Sequence, residues 1–114
     1  MIPFRCFYQA GQISEEQRSR LAEHLTRLAN EATGEAVEAA PVDWVEIAEG
    51  FGFTAGKPSQ SSVVISAVPD DTDQDIRVDL MRGICDAWSL ETGCSVNDIV
   101  ATAVNVSLAI KAQA

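Results

Sequence analysis

Two stretches of this chain end on the same Thr-Gly pair, and superposing those pairs aligns what comes before them. With Thr33-Gly34 set on Thr92-Gly93, Ser14 meets Asp73 as helix N-cap, Leu21 meets Leu80 and Leu25 meets Ile84. Phe4 to Tyr8 then meets Val63 to Ala67 without a gap. Each copy reads as an apolar strand, a polar turn and an amphipathic helix. A repeated supersecondary unit fixes the architecture before local detail does. The chain therefore reads as one α/β domain, 1–114, built from two β-α-β repeats at about 1–57 and 58–114.

Taken in order, Met1 to Gln9 is dense in Phe, Cys and Tyr and predicts a first strand. Ala10-Gly11-Gln12 turns the chain. Ser14 and Gln17 form a capping box, Glu15 and Glu16 suit the positive helix end, and Gly34 suits a left-handed stop. Leu21, Leu25, Leu28 and Ala32 fall on one helix face. Val42 to Ile47 predicts a second strand, and Gly50 to Pro58 a loop with a short hairpin.

The second half predicts a strand over 61–68, a turn over 69–72, a helix over 73–91 and a strand over 98–106. Its helix should bury Ile76, Leu80, Ile84 and Ala87, with Trp88 at the edge. Gly83 on that face suggests close approach to the sheet. Residues 107–114 read as a short helical tail docking on a neighbouring subunit.

Parallel crossovers of this length give a four-stranded mixed sheet carrying both helices on one face. The other face would lie bare, and self-association is the simplest cover for a sheet rich in Val, Ile and Phe. A net charge of −9 argues against nucleic acid or an anionic membrane as partner. No apolar run approaches the ~20 residues of a spanning helix, and the start lacks a signal-peptide layout. Three cysteines without CxxC spacing fit a reducing compartment, so the expected location is cytoplasmic. No metal-ligand spacing or phosphate loop occurs, and no cofactor is expected.

The segments GQISEEQRSRLAEHLTRLANEATG and ETGCSVNDIVATAVNVS, within a duplicated β-α-β unit of this size, resemble the tautomerase superfamily. The likeness is greatest to malonate semialdehyde decarboxylase and cis-3-chloroacrylic acid dehalogenase, and covers nearly the whole chain. It implies a homotrimer, each chain standing for two of the shorter 4-oxalocrotonate tautomerase subunits. It also implies chemistry at an N-terminal proline, whose secondary amine can be base, acid or nucleophile near neutral pH. Here that position falls on Ile2, and Pro3 comes one residue late. Where the families place substrate-gripping arginines, this chain has Gln12, Asp43 and the turn containing Asp70 and Asp71; the dehalogenase's histidine falls on Ala29. Phe51 and Phe53 match the families' hydrophobic loop.

The candidate catalytic groups are thus the Met1 amine and Pro3, and the candidate ligand-binding residues are Gln12, Asp43, Phe51, Phe53, Asp70 and Asp71. Each has a plainer reading. Met1 is a chain end, Pro3 an edge-strand proline, and Asp70, Asp71 and Asp73 a solvated turn with its cap. Asp43, entering an apolar strand, needs a partner, either a ligand or an Arg from a neighbouring subunit. His24 reads as a boundary residue of the first helix, and the cysteines as packing residues. Two functions follow. One is a tautomerase-type isomerase acting on a small carbonyl or unsaturated compound through its N-terminal amine. The other is a catalytically silent or repurposed member, binding a neutral or cationic small molecule or serving as a structural subunit.

Overall fold

The computed structural model describes residues 1–113, with side chains described through residue 109. β1 (Phe4–Gln9) leads through α1 (Glu15–Thr33) to β2 (Val42–Ile47). A small hairpin of β3 (Phe53–Thr54) and β4 (Lys57–Pro58) joins the halves. The plan then repeats as β5 (Ser62–Val68), α2 (Gln74–Thr92) and β6 (Ile99–Asn105), followed by α3 (Val106–Gln113). The main sheet has the order β2-β1-β5-β6, parallel within each half and antiparallel where β1 meets β5. The duplicated β-α-β unit and its mixed four-stranded sheet are therefore present.

The local signals act as their chemistry dictates. Ser14 Oγ accepts from Gln17 N while the Gln17 side chain accepts from Ser14 N, so the capping box closes. Gly34 and Gly93 both end their helices with positive φ, at 76° and 70°. Asp73 takes the N-cap place of α2 without a side-chain hydrogen bond.

Cross-strand register sorts the sheet into two faces. Phe4, Cys6 and Tyr8 point to the helices with Val64 and Val68, against Leu21, Leu25, Leu28 and Ala29 of α1 and Leu80, Ile84 and Ala87 of α2. Each large apolar side chain buried there contributes about 1.5–3 kcal/mol. Two expectations are corrected here. Trp88 is not an edge residue but is 1% exposed, because it continues the i, i+4 row of Leu80 and Ile84 and reaches Trp44 of β2 at 6.0 Å between ring centroids. Gly83 makes its close approach to Leu28 of α1, not to the sheet. Ile76 is only half-buried, since it precedes the stretch where α2 meets the core.

Arg5, Phe7, Val45, Ile47, Val63, Ile65, Val100 and Val104 alternate onto the opposite face, where no other helix of the described chain but α3 lies. The tail is helical as expected, and within this chain it packs on β5 and β6. No helix among the described residues is long and apolar enough to cross a membrane.

Candidate functional site

The start of β1, the start of β2 and the end of β5 come together at one end of the open sheet face, and α3 folds over that corner. Between them lies a cavity of about 710 Å³. Its apolar lining includes Pro3, Pro41, Ile65, Ala67, Val104 and Leu108; its charged lining is Arg5 and Asp43. A hollow of similar size beside α1 is a shallow, open groove lined by polar and charged residues, Glu23, Arg27, Asn30, Glu31 and Glu35 among them. Only the first has the apolar body and few polar groups usual for a small-molecule site.

Each wall has a local cause. Strand alternation sends Ile2 into the core, 1% exposed, and turns Pro3 toward the cavity. β1 is a central strand, so Pro3 is not an edge-strand proline. It is tolerated because it stands just before the ladder begins: Phe4 N donates to Pro41 O, and Pro3 O accepts from Ala67 N. The parallel register places Arg5 opposite Asp43, and Arg5 Nε donates to Asp43 Oδ2 at 3.0 Å. Asp43's partner is thus an arginine of its own chain, one strand away. Arg5 was not visible as a site residue from its neighbours alone. The signal was there in the register, since aligning Phe4 with Val42 puts the two charges side by side.

The Met1 amine stands elsewhere. It is paired with Glu35, just beyond the end of α1, and that charge with its hydrogen bond holds the Glu35 carboxyl below its usual range. Asp70 is turned to structure. Its Oδ1 accepts from Ser107 N at 3.1 Å, capping the first turn of α3, and its carbonyl accepts from Arg77 Nη2. Arg77, which sequence reasoning passed over, also donates to Thr72 O, Ala103 O and Asn105 Oδ1, tying the β5–α2 turn to the end of β6. Asp71 lies on a separate hollow with Thr33, Glu35 and Asp73.

Gln12, Phe51 and Phe53 occupy the opposite end of β1. Gln12 accepts from Gln9 N and Ser62 Oγ and donates to Gln60 O, so it knits the turn to β5. Phe51 and Phe53 are 83% and 62% exposed on and beside the hairpin, and Gly52 packs against the Gln9 side chain. Six strand residues separate the two ends by about 17–20 Å. One chain therefore brings together Pro3 and Asp43, with Asp70 near by through α3, and leaves Gln12, Phe51 and Phe53 apart.

His24 belongs to a network between the helices. Its Nε2 lies 3.2 Å from Glu91 Oε1, and Nδ1 lies 3.1 Å from Arg27 Nη2. Arginine only donates, so Nδ1 accepts and Nε2 carries the proton. Arg20 and then His24 hold the Glu91 carboxyl below its usual range. Among the described residues, no three His, Cys, Asp or Glu side chains stand close enough to share a metal ion.

The whole architecture matches solved structures. The crystal structure of native Ps01740 superposes with a TM-score of 0.85 at 28% identity, covering 90% of this chain and 91% of that one. N1, a member of the cis-3-chloroacrylic acid dehalogenase family, gives 0.83 at 16% identity over 90% and 73% of the two chains. A fused 4-OT symmetric trimer gives 0.79 at 14% identity over 90% and 83%. The chain has the tautomerase-superfamily fold. No protein-family model and no curated protein matches the sequence itself. In this tautomerase-fold chain, the described cavity sits where β1 begins, beside the first residues.

Proposed function

We propose that this protein is an isomerase of the tautomerase type, acting on a small carbonyl or unsaturated compound, and that it works as a homotrimer. The observation that carries the reading is the cavity at the start of β1, apolar in its walls and furnished with one charged pair. A 1,3-proton shift needs a group that removes a proton from carbon and returns it at the far end of the conjugated system. It also needs walls that keep water from competing. In this reading the N-terminal amine does the proton work, supplied by a processed Pro3 on the cavity wall or by Met1 once it leaves Glu35. Met1 rests on Glu35, two residues upstream of Pro3 and so within about 8 Å of it along the chain.

The trimer is supported by the apolar open sheet face and by the fused 4-OT trimers among the similar structures. Gln12, Phe51 and Phe53 contribute to the cavity in this reading only from a second subunit, because the length of β1 separates them from it.

A second reading has its own support. Glu35 occupies the amine and Asp43 occupies Arg5, as suits a binding protein without catalysis. Intact-mass determination of the N-terminus, together with ketonisation assays on phenylpyruvate and 2-hydroxymuconate, separates the two. Turnover above buffer supports the isomerase. Retained Met1 with no turnover of either compound, and no solvent deuterium exchange into the uncharged phenylacetaldehyde, rejects it in favour of the binding protein.

A further inference from the structure

The charges on the cavity wall say what kind of molecule it takes. Arg5 and Asp43 are register partners on neighbouring parallel strands, and both line the cavity. The guanidinium donates through Nε to Asp43 Oδ2 at 3.0 Å, with the side chains 45% and 58% exposed. The remaining wall is Pro, Val, Ile, Ala, Leu and Phe. A carboxylate entering this space meets one cation already shared with an anion. To use Arg5 it must come within a few ångströms of Asp43, and the like charges repel.

We infer that Asp43 is a specificity-determining residue: by masking Arg5 it makes the cavity a site for uncharged carbonyl compounds and disfavours their carboxylates. This rests on the cavity being the ligand site of the proposed function. The pair is partly exposed, so it contributes little to folding. Its effect on a ligand is larger, because a bound molecule displaces the water that screens it. A charge about 5 Å away, at an effective dielectric between surface and bulk values, changes affinity by about tenfold. Removing Asp43's charge while keeping its shape therefore unmasks a carboxylate receptor that the backbone already positions.

The test uses the full chain and two probes differing by one carboxylate, phenylpyruvate and phenylacetaldehyde. Binding is followed by chemical shifts of the β1 and β2 amides, and enolisation by solvent deuterium exchange. Wild-type protein is expected to bind the aldehyde at least as tightly as the acid. Asp43→Asn should tighten phenylpyruvate about tenfold and leave the aldehyde within about twofold. Adding Arg5→Gln to that variant should abolish the gain. Thermal melts of the two variants, expected to match wild type closely, ensure that folded proteins are compared.

A wild-type preference for phenylpyruvate, or an Asp43→Asn variant with unchanged affinity for it, overturns the masking; enolisation of either probe would still leave the isomerase standing. The predicted ranking without any exchange supports the masking and counts against the isomerase. Shifts from neither probe overturn both.

Discussion

Gly83 of α2 and Leu28 of α1 pack so closely that a methyl carbon on Gly83 would stand 2.4 Å from Leu28 Cδ2. This is what lets the two helices share the core of a small domain. Gly83→Ala gains about 1 kcal/mol of helix propensity but forces the buried Leu28 aside, and overpacking costs about 1–3 kcal/mol. The expected net result is a loss of about 1 kcal/mol in urea denaturation. In a Leu28→Ala background the space is open, and there Gly83→Ala should stabilise. The same sign in both backgrounds would show that this contact is not the cause.

Arg77 is the hub of the corner that carries α3. Its donors meet Thr72 O, Ala103 O and Asn105 Oδ1 between 2.6 and 3.1 Å, a fan of acceptors that suits a planar fork. Arg77→Lys should lose about 1–3 kcal/mol, because a single ammonium leaves partly buried carbonyls unpaired. Asp70→Ala removes the side-chain cap on Ser107 N and should cost about 1 kcal/mol, with faster hydrogen exchange confined to the start of α3. Unchanged exchange at residues 106–109 would mean that the cap does not hold the helix.

Glu91 lies in the last turn of α2, where the helix dipole disfavours an anion and no basic residue of α2 compensates. Arg20 of α1 supplies a cation instead, at 2.7 Å, and His24 of α1 donates its Nε2–H to the same carboxylate at 3.2 Å. The folded-state pKa of Glu91 is depressed, so its stabilisation is complete above the unfolded value of about 4.3 and is lost as pH falls through the lower folded value. Glu35 is depressed likewise by the Met1 amine, so both act in the same acid range. Glu91→Gln should flatten the decline of Tm below about pH 5 while Glu35→Gln flattens it separately. Parallel wild-type and Glu91→Gln curves would remove Glu91 from the acid response.

Much of this molecule was legible because repetition and periodicity are local signals. The Thr-Gly stops, the Ser14 cap and the apolar rows of the two helices give the fold directly. Trp88 was misplaced although it continues the Leu80–Ile84 row, because Trp at a helix end reads as a boundary residue until its partner, Trp44 of β2, is known. The site was less legible for the same reason. Asp43 stood out as a charge in an apolar strand, but Arg5 became its partner only through the register of β1 on β2. Asp70 looked like a ligand-binding carboxylate until α3 folded back and placed Ser107 N on it. Phe51 lies where no pattern within one chain joins it to Pro3, and Met1, though two residues away, is drawn off to Glu35.

Cys6 is fully buried between the sheet and the helices, and burial, reinforced by the nearby Asp43 charge, pushes its thiol up to about 12. The thiolate is the reactive species, so at pH 8 only roughly one molecule in ten thousand carries it. Cys85 is only partly buried, and burial followed by Asp86 raises its thiol too. Iodoacetamide applied to native protein at pH 8 should therefore leave Cys6 unmodified over hours in peptide mass analysis. In guanidinium chloride Cys6 should react as fast as the other two cysteines. Prompt native labelling at Cys6 would mean that β1 opens from the core on that timescale, and that the Pro3 wall of the cavity moves with it.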